Sequence, residues 1–514
     1  MPWGKFVARL VVLAVALVRR LRRPSSTPCL HGGVEGAAIP SVTMAGGVVT
    51  RLGEAVAPRR LGRAFRWLWA SSIAGNLADG LLLAAAPLLV ASLTNDPFAV
   101  AMAVFLQRLP WLLVGVLAGA LVDRLDRRLI SIAVDVARGL VVAGLAVAVA
   151  TDVLSLPVIY ATMFLLGSAE TIADNAASAI VPDVVPSAAL GIGNSRLIGS
   201  MMVTNQLAGP PIGALLFGLG MAVPFATYAV IMGASAVLIS RIGPLPIERG
   251  PRRALRDEIS EGLTWLWHHA PIRTLALTIT AFNVTFGAAM AVYVLYAQQR
   301  LGVGELGFGV LLSATAVGGV TGAALYGRLE RRFRLGTLMR AGLVIETMTH
   351  LALALVRSPL LAGLVMFVFG MHAAVWGTTS MTVRQRAVPS GLLGRVNSVY
   401  LLGSVGAIAL GTLLGGVLAE QWGVTAPFWF AFAGSALVTV LMWRTFPLIT
   451  HGAEAPPEPP TASAPLPGVH GGGAPLCPPS PAASSETGLR RSESSSRFGP
   501  AGAPAPSPAA SSDV

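Results

Sequence analysis

Apolar residues fill this chain in blocks of about twenty, the length an α-helix needs to cross a bilayer, and charged, Pro or Gly positions separate the blocks. They fall near 67–93, 98–122, 130–151, 156–178, 196–218 and 221–241, then near 273–297, 307–327, 337–356, 359–380, 398–419 and 425–443. The pattern predicts an all-α membrane protein with twelve transmembrane helices. Arginine sorts the connections into two sets. One holds Arg124, Arg127 and Arg128, then Arg249, Arg252, Arg253 and Arg256, then Arg328, Arg331, Arg332 and Arg334, then Arg384, Arg386 and Arg395; the other holds only Arg300 and Arg357. Positive loops stay on the cytoplasmic side, so a multi-pass protein of the plasma membrane with both termini in the cytoplasm is expected.

The flanks depart from this pattern. Phe6 to Val18 is apolar but too short to span, and the basic run from Arg19 to Arg23 stands where a signal peptide would carry small residues for cleavage. Residues 1–60 are therefore read either as a basic surface helix or as sequence upstream of a true start at Met44. Residues 447–514 turn to Pro, Ala, Ser and Gly, a composition that buries too little apolar surface to order itself. Between the two sets of six spans, residues 244–272 form a linker. There Leu255, Ile259, Leu263, Leu266 and Trp267 share one helical face against Arg256, Asp257, Glu258 and Glu261, which suits a helix lying on the membrane surface or one docked on protein.

An internal repeat divides the spans. Arg124, Leu125, Asp126, Arg127 and Arg128 return as Arg328, Leu329, Glu330, Arg331 and Arg332, each time after an even-numbered span. Gly191, Asn194 and Ser195 return as Gly394, Asn397 and Ser398 at nearly the same offset. Six spans separate the copies, so the halves share one orientation: two six-helix bundles, residues 61–243 and 273–446, related by a parallel repeat around a central cavity.

Composition removes several other chemistries. Charged residues are 12% of the chain, where soluble proteins carry about 25%, and 21 of the 61 lie before Trp67 or after Thr445. The single lysine, Lys5, rules out a Walker A loop or a Schiff base between 61 and 446. Cys29 and Cys477 lie outside the spans, and His268 with His269 lack zinc-helix spacing. Neither metal nor cofactor is expected, and no catalytic motif points to an enzyme. The net charge of +13 is loop topology plus eleven basic residues before Trp67, so it is not read as a nucleic-acid footprint.

Gly119, Asp123, Arg124, Asp126, Arg127 and Arg128 resemble the signature G-x-L-a-D-r-x-G-r-k between the second and third helices of the major facilitator superfamily (MFS), with Asp126 in place of the second glycine. Gly209, Pro210 and Gly213 in the fifth span resemble the family's antiporter motif, with Asn205 and Ala214 departing at its ends. Finer texture at Gln107, Arg108 and Pro110, at Glu170, Asp174 and Asn175, and at Glu261, Trp265 and Trp267 is similar to the macrolide-efflux and enterobactin-exporter branch. The resemblance covers residues 61–446. It implies the MFS fold, a gate at the cytoplasmic ends of the bundles built on Gly119, Asp123, Arg124 and Arg128, and proton-driven export of small hydrophobic or amphipathic compounds by a monomer. A siderophore exporter, a nutrient uptake carrier and a non-transporting receptor are the alternatives. Protons, a small-molecule substrate and membrane lipid are then the partners.

Ionisable groups inside spans are costly and mark function. Asp79 shares a face with Asn76, and folding the first hairpin brings Arg108 to its depth, which predicts an Asp79–Arg108 pair that protonation would open; a permanent structural pair is the other reading. The second hairpin sets Arg138 level with Glu170 and Asp135 near Asp174, a cluster read first as part of the gate. Any of Asp79, Arg108, Glu170 and Asp174 is a candidate for proton coupling. Asn205, Gln206, Asn283, Phe286, His372 and Trp376 are further candidates for the cavity wall, whereas Glu346 and His350 read as a local pair.

Overall fold

A computed structural model describes residues 61–122, 125–244, 255–389 and 391–445. Residues 1–60, the tail at 447–514 and the gate residues Asp123 and Arg124 lie outside the described residues.

The first bundle comprises α1 (Gly62–Leu93), α2 (Pro97–Val122), α3 (Arg127–Ala150), α4 (Leu156–Val184), α5 and α6 (Val223–Ser240). Helix α5 runs as Leu190–Met201, a π-helical turn at Met202–Ala208, and Gly209–Leu219. Helix α7 (Leu255–His268) is the linker helix. The second bundle comprises α8 (Ala270–Ala291, prolonged by Tyr293–Leu295 and a π turn at Tyr296–Arg300), α9 (Glu305–Arg332), α10 (Leu335–Leu355), α11 (Pro359–Ala387), α12 (Leu393–Trp422) and α13 (Ala426–Met442). Among the described residues, nine helices are long and apolar enough to cross a membrane; α2, the divided α5 and the 17-residue α13 complete the expected set. Leu140, Val230 and Val440 stand on the outer faces at 69%, 73% and 73% exposure, as side chains facing lipid do.

Helices outrun the apolar blocks where polar residues continue a turn past the membrane, as at the end of α4 and at Arg328 to Arg332 of α9. Asp126, the departure from the family glycine, caps α3 by accepting from the backbone N–H groups of Arg128 and Leu129.

Each half repeats one packing scheme: its first helix lies against its fifth and sixth, its second against its fourth, and its third against its fourth and sixth. The halves meet through α2 with α12 and α5 with α9, pairs the repeat relates to each other. An ion pair also reaches the fourth helix in each half. Arg127 of α3 meets Asp183 of α4 at 2.8 Å in the first half, and Arg386 of α11 meets Glu330 of α9 at 3.7 Å in the second; Glu330 is the repeat of Asp126, so the two pairs join different helices of the plan.

Cores differ at the two ends. At the end distant from residues 61 and 445, one apolar core joins both bundles, with Leu89, Val100 and Phe217 from the first and Tyr296, Phe308 and Phe428 from the second. At the opposite end each bundle has its own core, around Phe65 and Ile180 in one and around Leu275 and Met339 in the other. The linker helix is docked on protein: Gly262 lies so close to α12 that a Cβ would come within 2.7 Å of the Arg395 carbonyl, and Glu261 pairs with Arg395 at 2.8 Å. Leu266 is buried, whereas Leu263 and Trp267, expected on the same face, point outward.

Candidate functional site

The fifth helix shows how sequence places polar groups at the bundle interface. Pro210 and Pro211 have no N–H, so the carbonyls of Gln206 and Leu207 lose their usual i+4 donors. The chain answers with the π turn just before them, and the Ser313 hydroxyl of α9 stands 2.9 Å from the Leu207 carbonyl, where it can donate, and 3.1 Å from that of Gly309. Small residues bring the helices together here. A Cβ on Gly80 would lie 2.5 Å from the Asn205 carbonyl, and one on Gly309 would lie 2.7 Å from the Pro210 carbonyl. Gly213 packs on Leu81 in the same way. The antiporter-like motif thus holds α5 against α1 within its bundle and against α9 of the other.

Beside this motif a cavity of about 610 Å³ lies between the bundles. Asn76, Asp79, Asn205 and Gln206 reach it from α1 and α5, and Arg108, Arg138, Glu170 and Asp174 from α2, α3 and α4. Among the described residues the wall from the second bundle carries no charge: it is formed by Phe286, Tyr293, Phe308, Thr315, Phe369 and Thr412 with smaller apolar residues. The cavity is therefore amphipathic, with one bundle supplying charge and the other aromatic surface.

Within the charged wall Asp79 pairs with Arg138, not with Arg108. Tyr228 of α6 donates to the same Asp79 oxygen at 3.3 Å, and its ring lies 5.8 Å from the Arg138 guanidinium. The expected Asp79–Arg108 pair fails because matching two helices by depth leaves their lateral neighbours open. Helix α1 packs on α6, which also carries α3. Arg108, Glu170 and Asp174 line the cavity without an ion pair inside 4.0 Å among the described residues. Asp135 does not join Asp174; it accepts from Ser235 at 2.7 Å, and Ser235 lies 2.8 Å from Ser71, a buried polar chain between α3, α6 and α1. Arg128 donates to the Ser240 carbonyl of its own bundle at 2.6 Å, a bond that ties α3 to α6 within that bundle. Gly119 lies in α2.

The remaining candidates gather elsewhere. Asn283, His372 and Trp376 line a second pocket within the other bundle, and Phe286 lines both. Asn283 donates to the Ser404 hydroxyl of α12. Glu346 and His350 are more than a local pair, because His372 of α11 also reaches Glu346, at 3.0 Å. Sequence reasoning missed Tyr228, Tyr293 and Thr315. The hydroxyls of Tyr293 and Thr315 are buried at the central cavity without a hydrogen-bond partner among the described residues; a Tyr or Thr within an apolar block gives no signal to single it out.

A pair of six-helix bundles with a cavity at their interface is the architecture of secondary membrane transporters. The chain belongs to the transmembrane secretion effector family of the major facilitator superfamily, whose model matches residues 54–463. It is 27% identical to the multidrug efflux pump Tap of Mycolicibacterium fortuitum, over 70% of this chain and 90% of that one. It is 23% identical to macrolide efflux protein A of Streptococcus pyogenes, over 73% and 94% respectively. Among solved structures, the nucleoside transporter NupG aligns with a TM-score of 0.64 at 10% identity, covering 75% of this chain and all of NupG. A bacterial homologue of the iron transporter ferroportin, in an inward-facing state, aligns at 0.60 with 16% identity over 75% and 98%.

Proposed function

We propose that this protein exports a small hydrophobic or amphipathic compound across the plasma membrane in exchange for protons, as a monomer with both termini in the cytoplasm. The observation that carries the reading is the divided cavity, whose aromatic wall suits an apolar body while its charged wall supplies a proton-accepting carboxylate. The names of the two efflux relatives agree with this direction of transport. A proton on Asp79 removes the partner of Arg138, and Glu170 of the same cavity then competes for the guanidinium. That exchange gives the two-state element that coupling requires. Separate cores at the end bearing residues 61 and 445, against one shared core at the other, fit a state open toward the cytoplasm.

The test is flux in sealed vesicles containing the purified protein, with a pH gradient imposed and a fluorescent dye or a macrolide as substrate. Uphill movement that collapses with the gradient is expected. Movement indifferent to the gradient defeats the coupling. Arg108 favours a second reading, export of an anionic compound such as a siderophore, because it lines the cavity without an ion-pair partner among the described residues. Under that reading Arg108→Ala abolishes anion flux and spares neutral substrates.

A further inference from the structure

We propose that the pocket beside Glu346, inside the second bundle, is a binding site of its own for a compact organic monocation with an aromatic or branched apolar group. The pocket, open on one side, measures about 320 Å³, at the small end of the range for ligand sites. It adjoins the central cavity through Phe286 and Phe369, which line both and stack with centroids 5.4 Å apart. Those two rings are the partition a ligand crosses between the cavities. The transporter reading above supplies only the route by which a ligand arrives.

At the pocket wall sits a carboxylate. Glu346 of α10 is 8% exposed; His372 Nε2 of α11 lies 3.0 Å from one of its oxygens, and His350 Nε2, one turn along α10, lies 3.4 Å from the other. The His350 contact lacks hydrogen-bond geometry, and both nitrogens of that fully buried ring are without a hydrogen-bond partner. One carboxylate oxygen thus has an imidazole hydrogen bond and the other a close imidazole out of hydrogen-bond geometry, and a buried charge in that setting favours a further counter-ion. Among the described residues neighbouring elements bring no other charge to it: α8 presents Asn283, engaged with Ser404 of α12, and α13 reaches α10 through Thr439 on Thr347.

These groups select a cation. With both imidazoles neutral the cluster carries −1, and with one protonated it carries none. An anion is drawn only when both are charged, and it then still meets the carboxylate. Phe282, Phe286, Phe369 and Trp376 line the same space, and aromatic faces attract organic cations while repelling anions. In a low-dielectric pocket the carboxylate's attraction is far stronger than in water.

Phenyltrimethylammonium, whose charge no pH change removes, and its neutral isostere tert-butylbenzene are suitable probes. Binding of each to the purified full-length protein in lipid nanodiscs is measured by saturation-transfer NMR or calorimetry. The cation is expected to bind about tenfold or more tightly than the isostere, and Glu346→Gln to erase that preference. Gly377→Leu fills the pocket from its own wall, at a position where an added Cβ meets nothing within 4 Å; it should abolish binding of the cation with an unchanged melting temperature. Equal affinity for the two probes, or cation binding that survives Gly377→Leu, overturns the site, and the second result decides even if Glu346→Gln fails to fold. Vesicles without gradient-driven flux but with probe binding intact defeat the exporter reading alone; the reverse result defeats only this one.

Discussion

A buried carboxylate and guanidinium contribute little while paired and cost much when one is removed. Arg138 is 5% exposed, and its ion pair with Asp79 is its only one among the described residues. Asp79→Asn should therefore destabilise the protein, by an amount approaching about 3–5 kcal/mol, and abolish proton-driven flux. The double variant Asp79→Asn with Arg138→Met should recover the melting temperature without recovering flux. Thermal unfolding in detergent beside the vesicle assay separates the two effects; a single variant as stable as the parent would show that the pair is not formed. Both residues were legible in the sequence as charges inside spans, but their partnership was not. Depth along a hairpin is set by residue count, whereas the side on which a helix meets its neighbour is set by small residues such as Gly80 and Gly209, whose contacts cross the bundle.

Among the elements, the twelve apolar blocks matched helices because the lipid core demands that length of each, and the repeat at Arg124 and Arg328 exposed the two bundles. The π turn in α5 was not legible, since its cause lies in two facing helices at once. Pro210 and Pro211 unsettle the backbone of α5, and Ser313 of α9 supplies the hydroxyl that meets the exposed Leu207 carbonyl. Ser313→Ala leaves that carbonyl without the hydroxyl at a cost of about 1–3 kcal/mol, charged to the contact between α5 and α9. The joined end of the bundles should then separate more readily. Spin labels at Asn95 and Gly304, in loops of different bundles at that end, should report a larger population of long distances by electron double resonance. A distribution identical to that of the parent would mean the hydroxyl adds nothing to closure.

The molecule as a whole is two copies of one plan with unequal contents. Among the described residues charge lines the cavity from the first copy alone, while the second holds Glu346 in a side pocket, so symmetry of backbone has not preserved symmetry of chemistry. The ion pairs differ in placement as well: Arg127–Asp183 joins the third and fourth helices of the first half, and Glu330–Arg386 the second and fourth of the second. Each is a partly exposed contact worth about 0–1 kcal/mol. Arg127→Gln, which also loses the bond to the Ala179 carbonyl, should lower the melting temperature only slightly in thermal unfolding; a large fall would show that the pair holds the two helices together. Clips this weak let the helix ends they join part and rejoin at little cost, as a hinge that must move repeatedly requires.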